Sequence, residues 1–311
     1  MPPARMTRID GFTCFLCPRR CGVDRAAGRR GFCGAGDRLE IYRYGPHHGE
    51  EPPISAARGS GTVFFSRCTL SCLYCQNYPW SQQGRGEIYT VAEFAEALAD
   101  LARRGCHNWN LVSPTPWLPF IRESLAIAAD AGFRLPVVYN TSGYEREEII
   151  DGLGDLVDVY LSDLRYSSAT AAAEGSGCAD YAQTARRAFR RMWRQKGPLR
   201  TNSEGAAVGG TICRLLILPG RAREAVENLR WLADNIGAEV AVSVMAQYTP
   251  AHRAARGDCG EDWGRRITLE EYEKVCSAVE ELGFLEGWIQ DFEETSPANL
   301  LGYQMQPGRE T

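Results

Sequence analysis

Gly59-Ser60-Gly61-Thr62-Val63-Phe64-Phe65-Ser66-Arg67-Cys68-Thr69-Leu70-Ser71-Cys72-Leu73-Tyr74-Cys75 runs from a β-branched and aromatic stretch straight into three cysteines at C-x3-C-x2-C spacing. The first half reads as a buried strand, Thr62 to Ser66, because it is short, apolar on both faces and bounded by glycine. Three thiolates suit three irons of a cubane and leave the fourth iron with an open coordination site. A structural zinc borrowing a fourth ligand is the plainer alternative, but zinc sites usually pair two C-x2-C knuckles.

Working outward, five further runs have strand character: Trp109 to Ser113, Val137 to Thr141, Val157 to Asp163, Thr211 to Leu218 and Val240 to Gln247. Amphipathic helical segments separate them. Thr90 with Glu93 and Thr268 with Glu271 are capping boxes that start two of those helices, and Gly105 and Gly283 end them. Such alternation builds a parallel sheet, and polar strand ends (Asn140-Thr141-Ser142-Gly143, Asp163, Gln247-Tyr248) place chemistry at its carboxyl edge. Six βα units are too few to close an eight-stranded barrel. The fold class expected is therefore α/β, a partial (β/α)6 barrel over residues 61–291, with a cysteine-rich appendage at 1–60 and a surface tail at 292–311.

The chain has 311 residues, 35 basic and 39 acidic for a net charge of −4, with 44% hydrophobic and 24% charged residues. These values suit a globular protein of the cytoplasm. No apolar run reaches the ~18 residues of a membrane span, and the amino terminus carries no secretory pattern. The basic cluster Arg186 to Lys196 alternates with Ala185, Phe189 and Met192 at helical spacing, which reads as a solvated helix face rather than a nucleic-acid site. Neither a membrane nor a nucleic-acid partner is expected.

Twelve cysteines point to metal or redox chemistry, since cytosolic disulfides are rare. Cys106, Cys178, Cys213, Cys259 and Cys276 are scattered singly and read as small buried hydrophobes. Cys14, Cys17, Cys21 and Cys33 instead make a C-x2-C-x3-C-x11-C array in a segment with no periodic core of its own. Four thiolates close a coordination sphere completely, so a second metal site is expected there, either [4Fe-4S] or zinc. His47, His48, Glu50 and Glu51 read as a polar loop before Pro52-Pro53, with a direct catalytic role as the lesser alternative.

The triplet, with an aromatic before its last cysteine and a strand before its first, resembles the signature of the radical S-adenosylmethionine (SAM) superfamily. Residues 59 to about 290 further resemble relatives of the pyruvate formate-lyase activating enzymes. Cys75-Gln76-Asn77, Asn108-Trp109-Asn110-Leu111-Val112, Val138-Tyr139-Asn140-Thr141-Ser142-Gly143-Tyr144-Glu145 and Met245-Ala246-Gln247-Tyr248 carry that likeness by occurring in this order. The resemblance implies that Cys68, Cys72 and Cys75 hold a [4Fe-4S] cluster that reductively cleaves SAM to a 5′-deoxyadenosyl radical. It also implies a radical SAM oxidoreductase, and an electron donor such as flavodoxin or ferredoxin.

By the same resemblance Ser113 and Thr115 stand where the superfamily usually has Gly-Gly-Glu. The glutamate is absent here, so backbone carbonyls and Thr115 would receive the cofactor's amino group. Asp163 and Arg165 stand at an Asp-x-Lys pair, with arginine keeping the charge but not the geometry of lysine. Arg214 matches a strand-borne ligand for carboxylate or ribose, or else makes a salt bridge at the core edge. Tyr74 lies against the adenine, or simply packs. Asn140, Ser142 and Gln247 complete the expected cofactor pocket. The substrate is either a glycine of a partner glycyl-radical enzyme or another peptide or small molecule, and a non-catalytic iron-sulfur electron carrier is the reading of a different class.

Overall fold

The computed structural model describes residues 13–257 and 259–292. Along the chain, β1 (Thr13–Cys14) and β2 (Val23–Asp24) make a small antiparallel pair, followed by the long β3 (Leu39–His47) and a single turn, α1 (Pro52–Ser55). Then come β4 (Ser60–Phe65), α2 (Tyr78–Ser81), β5 (Glu87–Tyr89), α3 (Val91–Arg103), β6 (Trp109–Val112) and α4 (Leu118–Asp130). The middle of the chain contributes β7 (Val137–Thr141), α5 (Glu147–Asp151), β8 (Val159–Asp163), α6 (Ala169–Ser176) and α7 (Tyr181–Lys196). The last third adds β9 (Arg200–Thr201), β10 (Ala207–Leu216), α8 (Ala222–Asn235), β11 (Ala241–Met245), α9 (Leu269–Glu281) and β12 (Gly287–Ile289).

The main sheet runs β12-β11-β10-β8-β7-β6-β4-β3-β5. All neighbours from β12 to β4 are parallel, and β3 and β5 extend the sheet antiparallel beyond β4. The sheet ends at β5 on one side and β12 on the other, so the α/β partial barrel expected from the sequence is present and open. Each of the six expected strands is there. Four more sheet members, β3, β5, β9 and β12, were hidden in the pattern. β12 is a seventh parallel strand, three residues long, and too short to show alternation. β3 pairs with β4 along Ile41–His47 but with β5 only along Leu39–Ile41, so Pro46 needs no partner on its second side and is tolerated. Because β3 belongs to the main sheet, the boundary at residue 60 cuts through that sheet. The cysteine-rich appendage proper ends before Leu39. Residues 1–12 and nearly all of the 292–311 tail lie outside the described residues.

Both capping boxes form. Thr90 N donates to Glu93 Oε2 at 2.8 Å and Glu93 N to Thr90 Oγ1 at 3.1 Å, and Thr268 and Glu271 repeat the exchange. α3 then buries Phe94, Leu98 and Leu101 against Val63 and Phe65 of β4. α7 buries Tyr181, Ala185, Phe189 and Met192, while Arg187 and Arg191 pair with Glu147 and Arg186 donates to Asn228. Inside the barrel an apolar plug of Ile54, Val138, Val159, Leu161, Ile212 and Ala241 fills the amino-terminal end of the strands. The lumen is therefore usable only at the carboxyl end. Among the described residues no helix is long and apolar enough to cross a membrane.

Candidate iron-sulfur and cofactor site

The triplet loop leaves β4 through Arg67, whose φ of 74° turns the chain sharply, and Arg67 N closes the loop onto Trp80 O at 3.0 Å. Leu70, Leu73 and Tyr74 sink into the core shared with the carboxyl-terminal helices, so the cysteines are held by packing on both sides. Leu73 N donates to Gly175 O at 2.9 Å and Gln82 Nε2 to Cys72 O at 2.8 Å. The three thiols neighbour one another. Burial first, and the adjacent thiols second, push Cys68 up to about 12 and raise Cys75.

Donors nevertheless converge on these sulfurs. Arg165 Nη1 lies 3.1 Å and Ser176 Oγ 3.0 Å from Cys72 Sγ, Leu70 N lies 3.4 Å from Cys68 Sγ, and Ser81 Oγ lies 3.2 Å from Cys75 Sγ. Thiols that resist ionisation alone, yet are ringed by donors, are prepared for thiolate ligation by a cationic centre. The donor set fits a [4Fe-4S] cluster bound by three cysteines.

Asp163 ends β8, and its carboxylate receives Arg165 Nη2 at 2.6 Å and Nε at 2.9 Å, so one guanidinium spans from the strand end to Cys72. Gly143 makes the neighbouring corner possible. Its φ is +80°, and a Cβ there would fall 2.3 Å from Asp163 O. Ser142 is buried, and its carbonyl accepts from Tyr181 Oη at 2.6 Å. Ser113, at the end of β6, holds a left-handed φ of 59°, a strained conformation for a side-chain-bearing residue, and its N donates to Asn140 O at 2.9 Å. Gln247 follows β11, and its carbonyl takes Gln76 Nε2 of the triplet loop at 3.0 Å. Ser113, Asn140, Ser142, Asp163 and Gln247 therefore share the carboxyl end of the sheet with the cysteines.

Three of the expected cofactor residues have protein partners in this structure. The Tyr74 ring stacks on Trp263 at 5.3 Å between centroids, and its hydroxyl meets Tyr166 Oη at 2.7 Å. Tyr166 Oη in turn meets Ser176 Oγ at 2.7 Å, so Tyr74 is the far end of a hydroxyl chain to Cys72. Gly175 permits that chain, since a Cβ there would lie 2.3 Å from Tyr166 Oη. Thr115 turns away to donate to Glu145 Oε1 at 2.6 Å, and it lines the amino-terminal cysteine cavity instead. Arg214 is bidentate to Glu51, at 2.6 Å from Nε and from Nη2, and also bonds Glu50. Its guanidinium is spent inside the lumen, and Asn140 Oδ1 stands 3.4 Å away.

Glu50, Glu51, Ser81, Ser176, Glu145 and Arg25 are site residues that the motif did not reveal. The only sequence hint for Glu50 and Glu51 was their position before Pro52-Pro53. Glu145 is buried beside Thr115, Thr141 and Cys17, and burial raises its carboxyl to about 7.

All four amino-terminal cysteines face one small cavity, which Arg20, Arg25, Thr69, Thr115 and Pro116 also line. Arg25 is 1% exposed, donating to Pro116 O at 2.6 Å and to Cys14 Sγ at 3.2 Å. Phe32 N donates to Cys21 Sγ at 3.3 Å. Among the described residues, no three His, Cys, Asp or Glu side chains converge closely enough to hold a single metal ion. Burial pushes Cys17 up to about 12 and raises Cys33.

Residues 62–164, from β4 to just past β8, match the model of the radical SAM superfamily, and that stretch contains the triplet and Asp163. Over that stretch the chain is similar to the radical SAM superfamily. Over 280 residues it is 28% identical to an uncharacterized protein of Methanocaldococcus jannaschii, covering 86% of this chain and 74% of that one. A second uncharacterized protein of the same organism is 26% identical over 156 residues, 45% of this chain and 46% of the other. Among solved structures, Streptococcus suis SuiB bound to S-adenosylmethionine has a TM-score of 0.48 at 11% identity, covering 72% of this chain and 48% of that chain. A domain of pyruvate-formate lyase-activating enzyme from Bacteroides vulgatus has a TM-score of 0.39 at 14% identity, covering 56% and 93%.

Proposed function

We propose that this protein is a radical SAM oxidoreductase whose Cys68, Cys72 and Cys75 hold a [4Fe-4S] cluster and whose open strand ends receive SAM. The observation that carries the reading is the convergence of three donor-ringed thiols with Asp163 and Arg165 at the one end of the lumen that is not plugged. When bound, cluster and SAM supply reductive cleavage to methionine and a 5′-deoxyadenosyl radical, which abstracts hydrogen from the substrate. Arg165 places a fixed positive charge beside Cys72, which favours the added negative charge of reduction and raises the potential. Asp163 fixes that guanidinium. Ser113, Asn140, Ser142 and Gln247 orient the cofactor from the surrounding strand ends, and the apolar plug excludes water from below.

Glycyl-radical activation, with a backbone glycine of a partner enzyme as substrate, is the activity we favour; the likeness to relatives of the pyruvate formate-lyase activating enzymes supports it. The four amino-terminal cysteines fit a second [4Fe-4S] cluster better than zinc. All four line one cavity beside the triplet loop, the arrangement that a cluster held by four thiolates requires. A flavodoxin or ferredoxin in the cytoplasm would supply the electrons. Anaerobic reconstitution with iron and sulfide, followed by dithionite and SAM, tests the reading: 5′-deoxyadenosine should form. Its absence from a protein with both iron sites filled would end the proposal.

A further inference from the structure

The two cysteine sites are close neighbours. Thr69, the residue after Cys68, lines the four-cysteine cavity, and the next residue donates to the Cys68 sulfur. Arg19 bridges the same gap from the outside. Its Nε donates to Thr69 O at 3.3 Å, and its guanidinium carbon sits 3.8 Å over the ring of Phe32.

Phe32 is 48% exposed and Phe15 47%, and both belong to the appendage that wraps the cavity. The Phe32 amide touches Cys21 Sγ, so one peptide separates solvent from sulfur. Residues 13–38 hold six arginines against two aspartates, in a chain whose acidic residues otherwise prevail. Arg20, Arg29, Arg30 and Arg38 are exposed. Exposed aromatics among arginines make an interface composition, and a basic face on an acidic protein steers an acidic partner to one place.

We propose that this face of the appendage is the docking surface for an acidic one-electron carrier, which delivers its electron through the four-cysteine site to the triplet. The inference rests on the reading of both sites as clusters. One electron passes from the partner's fully reduced flavin to the oxidised cluster, with no bond made or broken. The path inward is Phe32–Cys21, the cavity, then Thr69 and Cys68.

The test uses a flavodoxin, reduced to its hydroquinone, mixed anaerobically with the reconstituted protein while cluster bleaching is followed. Arg29→Glu with Arg38→Glu should lower the second-order rate constant at least ~10-fold at low salt and flatten its salt dependence. The dithionite-driven rate and the iron content of both sites should stay at parental levels, and Arg29→Lys with Arg38→Lys should restore fast reduction. An unchanged flavodoxin rate constant in the double glutamate variant would overturn the docking face. Failure of the parental protein to make 5′-deoxyadenosine with dithionite would instead sink the proposed activity, so the two outcomes are separable.

Discussion

The triplet and the amino-terminal array solve the same problem with different support. Each presents cysteine sulfurs to an inner space, and each is served by an arginine that donates to one sulfur, Arg165 to Cys72 and Arg25 to Cys14. Yet Cys68 to Cys75 are set by a strand of the main sheet and by Leu70, Leu73 and Tyr74 in the core, whereas Cys14 to Cys33 hang on a pair of two-residue strands. Arg165 is also held by Asp163 at the strand end, and Arg25 donates to a carbonyl as well as to a sulfur. The difference teaches that the triplet is shaped by the barrel, whereas the appendage has no comparable scaffold of its own. Three thiolates leave a coordination site for SAM, and four leave none.

The sharpest way to break this contrast is Cys72→Ala, which should abolish 5′-deoxyadenosine formation and empty the triplet of iron. Parental activity in that variant would remove the triplet from the reaction. Next in size is the combined change of Cys14, Cys17, Cys21 and Cys33 to Ala. It should remove about four irons and expose residues 13–38 to protease, yet leave slow dithionite-driven cleavage of SAM. Loss of one zinc would make the array a structural knuckle, and total loss of 5′-deoxyadenosine in a folded variant that keeps the triplet iron would merge the two regions into one functional unit.

Arg214→Ala sharpens the comparison at the join, because Arg214 ties Glu50 and Glu51 of the amino-terminal segment to the barrel. Removing it leaves two carboxylates buried, at a cost of about 3–5 kcal/mol in urea unfolding. SAM affinity should change far less, and Glu50→Gln with Glu51→Gln added should recover part of the stability. A large fall in SAM affinity at unchanged stability would return Arg214 to the cofactor. The smallest effect is expected from Glu145, which sits between Thr141 of the barrel and Cys17 of the appendage. Its folded value of about 7 lies above the ordinary 4.5, so the folded state holds an extra proton between those values. The associated stability is full below pH 4.5 and is lost as pH rises through about 7, on the order of 2–3 kcal/mol. Glu145→Gln should flatten that slope and exceed the parent in stability above pH 7; an unaltered pH profile in urea melts would refute the shift.

The sequence by itself determined the parallel sheet and the triplet, because both are written in local rules. Strand patterns, capping boxes and cysteine spacing act within a few residues, and each of the six strands and both boxes are present. The array at Cys14 to Cys33 was equally legible as a set. Only the tertiary structure decided the partners of Tyr74, Thr115 and Arg214. Each had a polar group whose nearest acceptor or donor lies far along the chain: Tyr166 for Tyr74, Glu145 for Thr115, Glu50 and Glu51 for Arg214. A buried polar group takes the partner that packing brings to it, and sequence spacing carries no record of that choice. β3 and β12 escaped for a related reason. A strand at or beside the sheet edge draws its stability from the neighbour that templates it, β4 for one and β11 for the other, so its own residues need not display the alternation by which a strand is read.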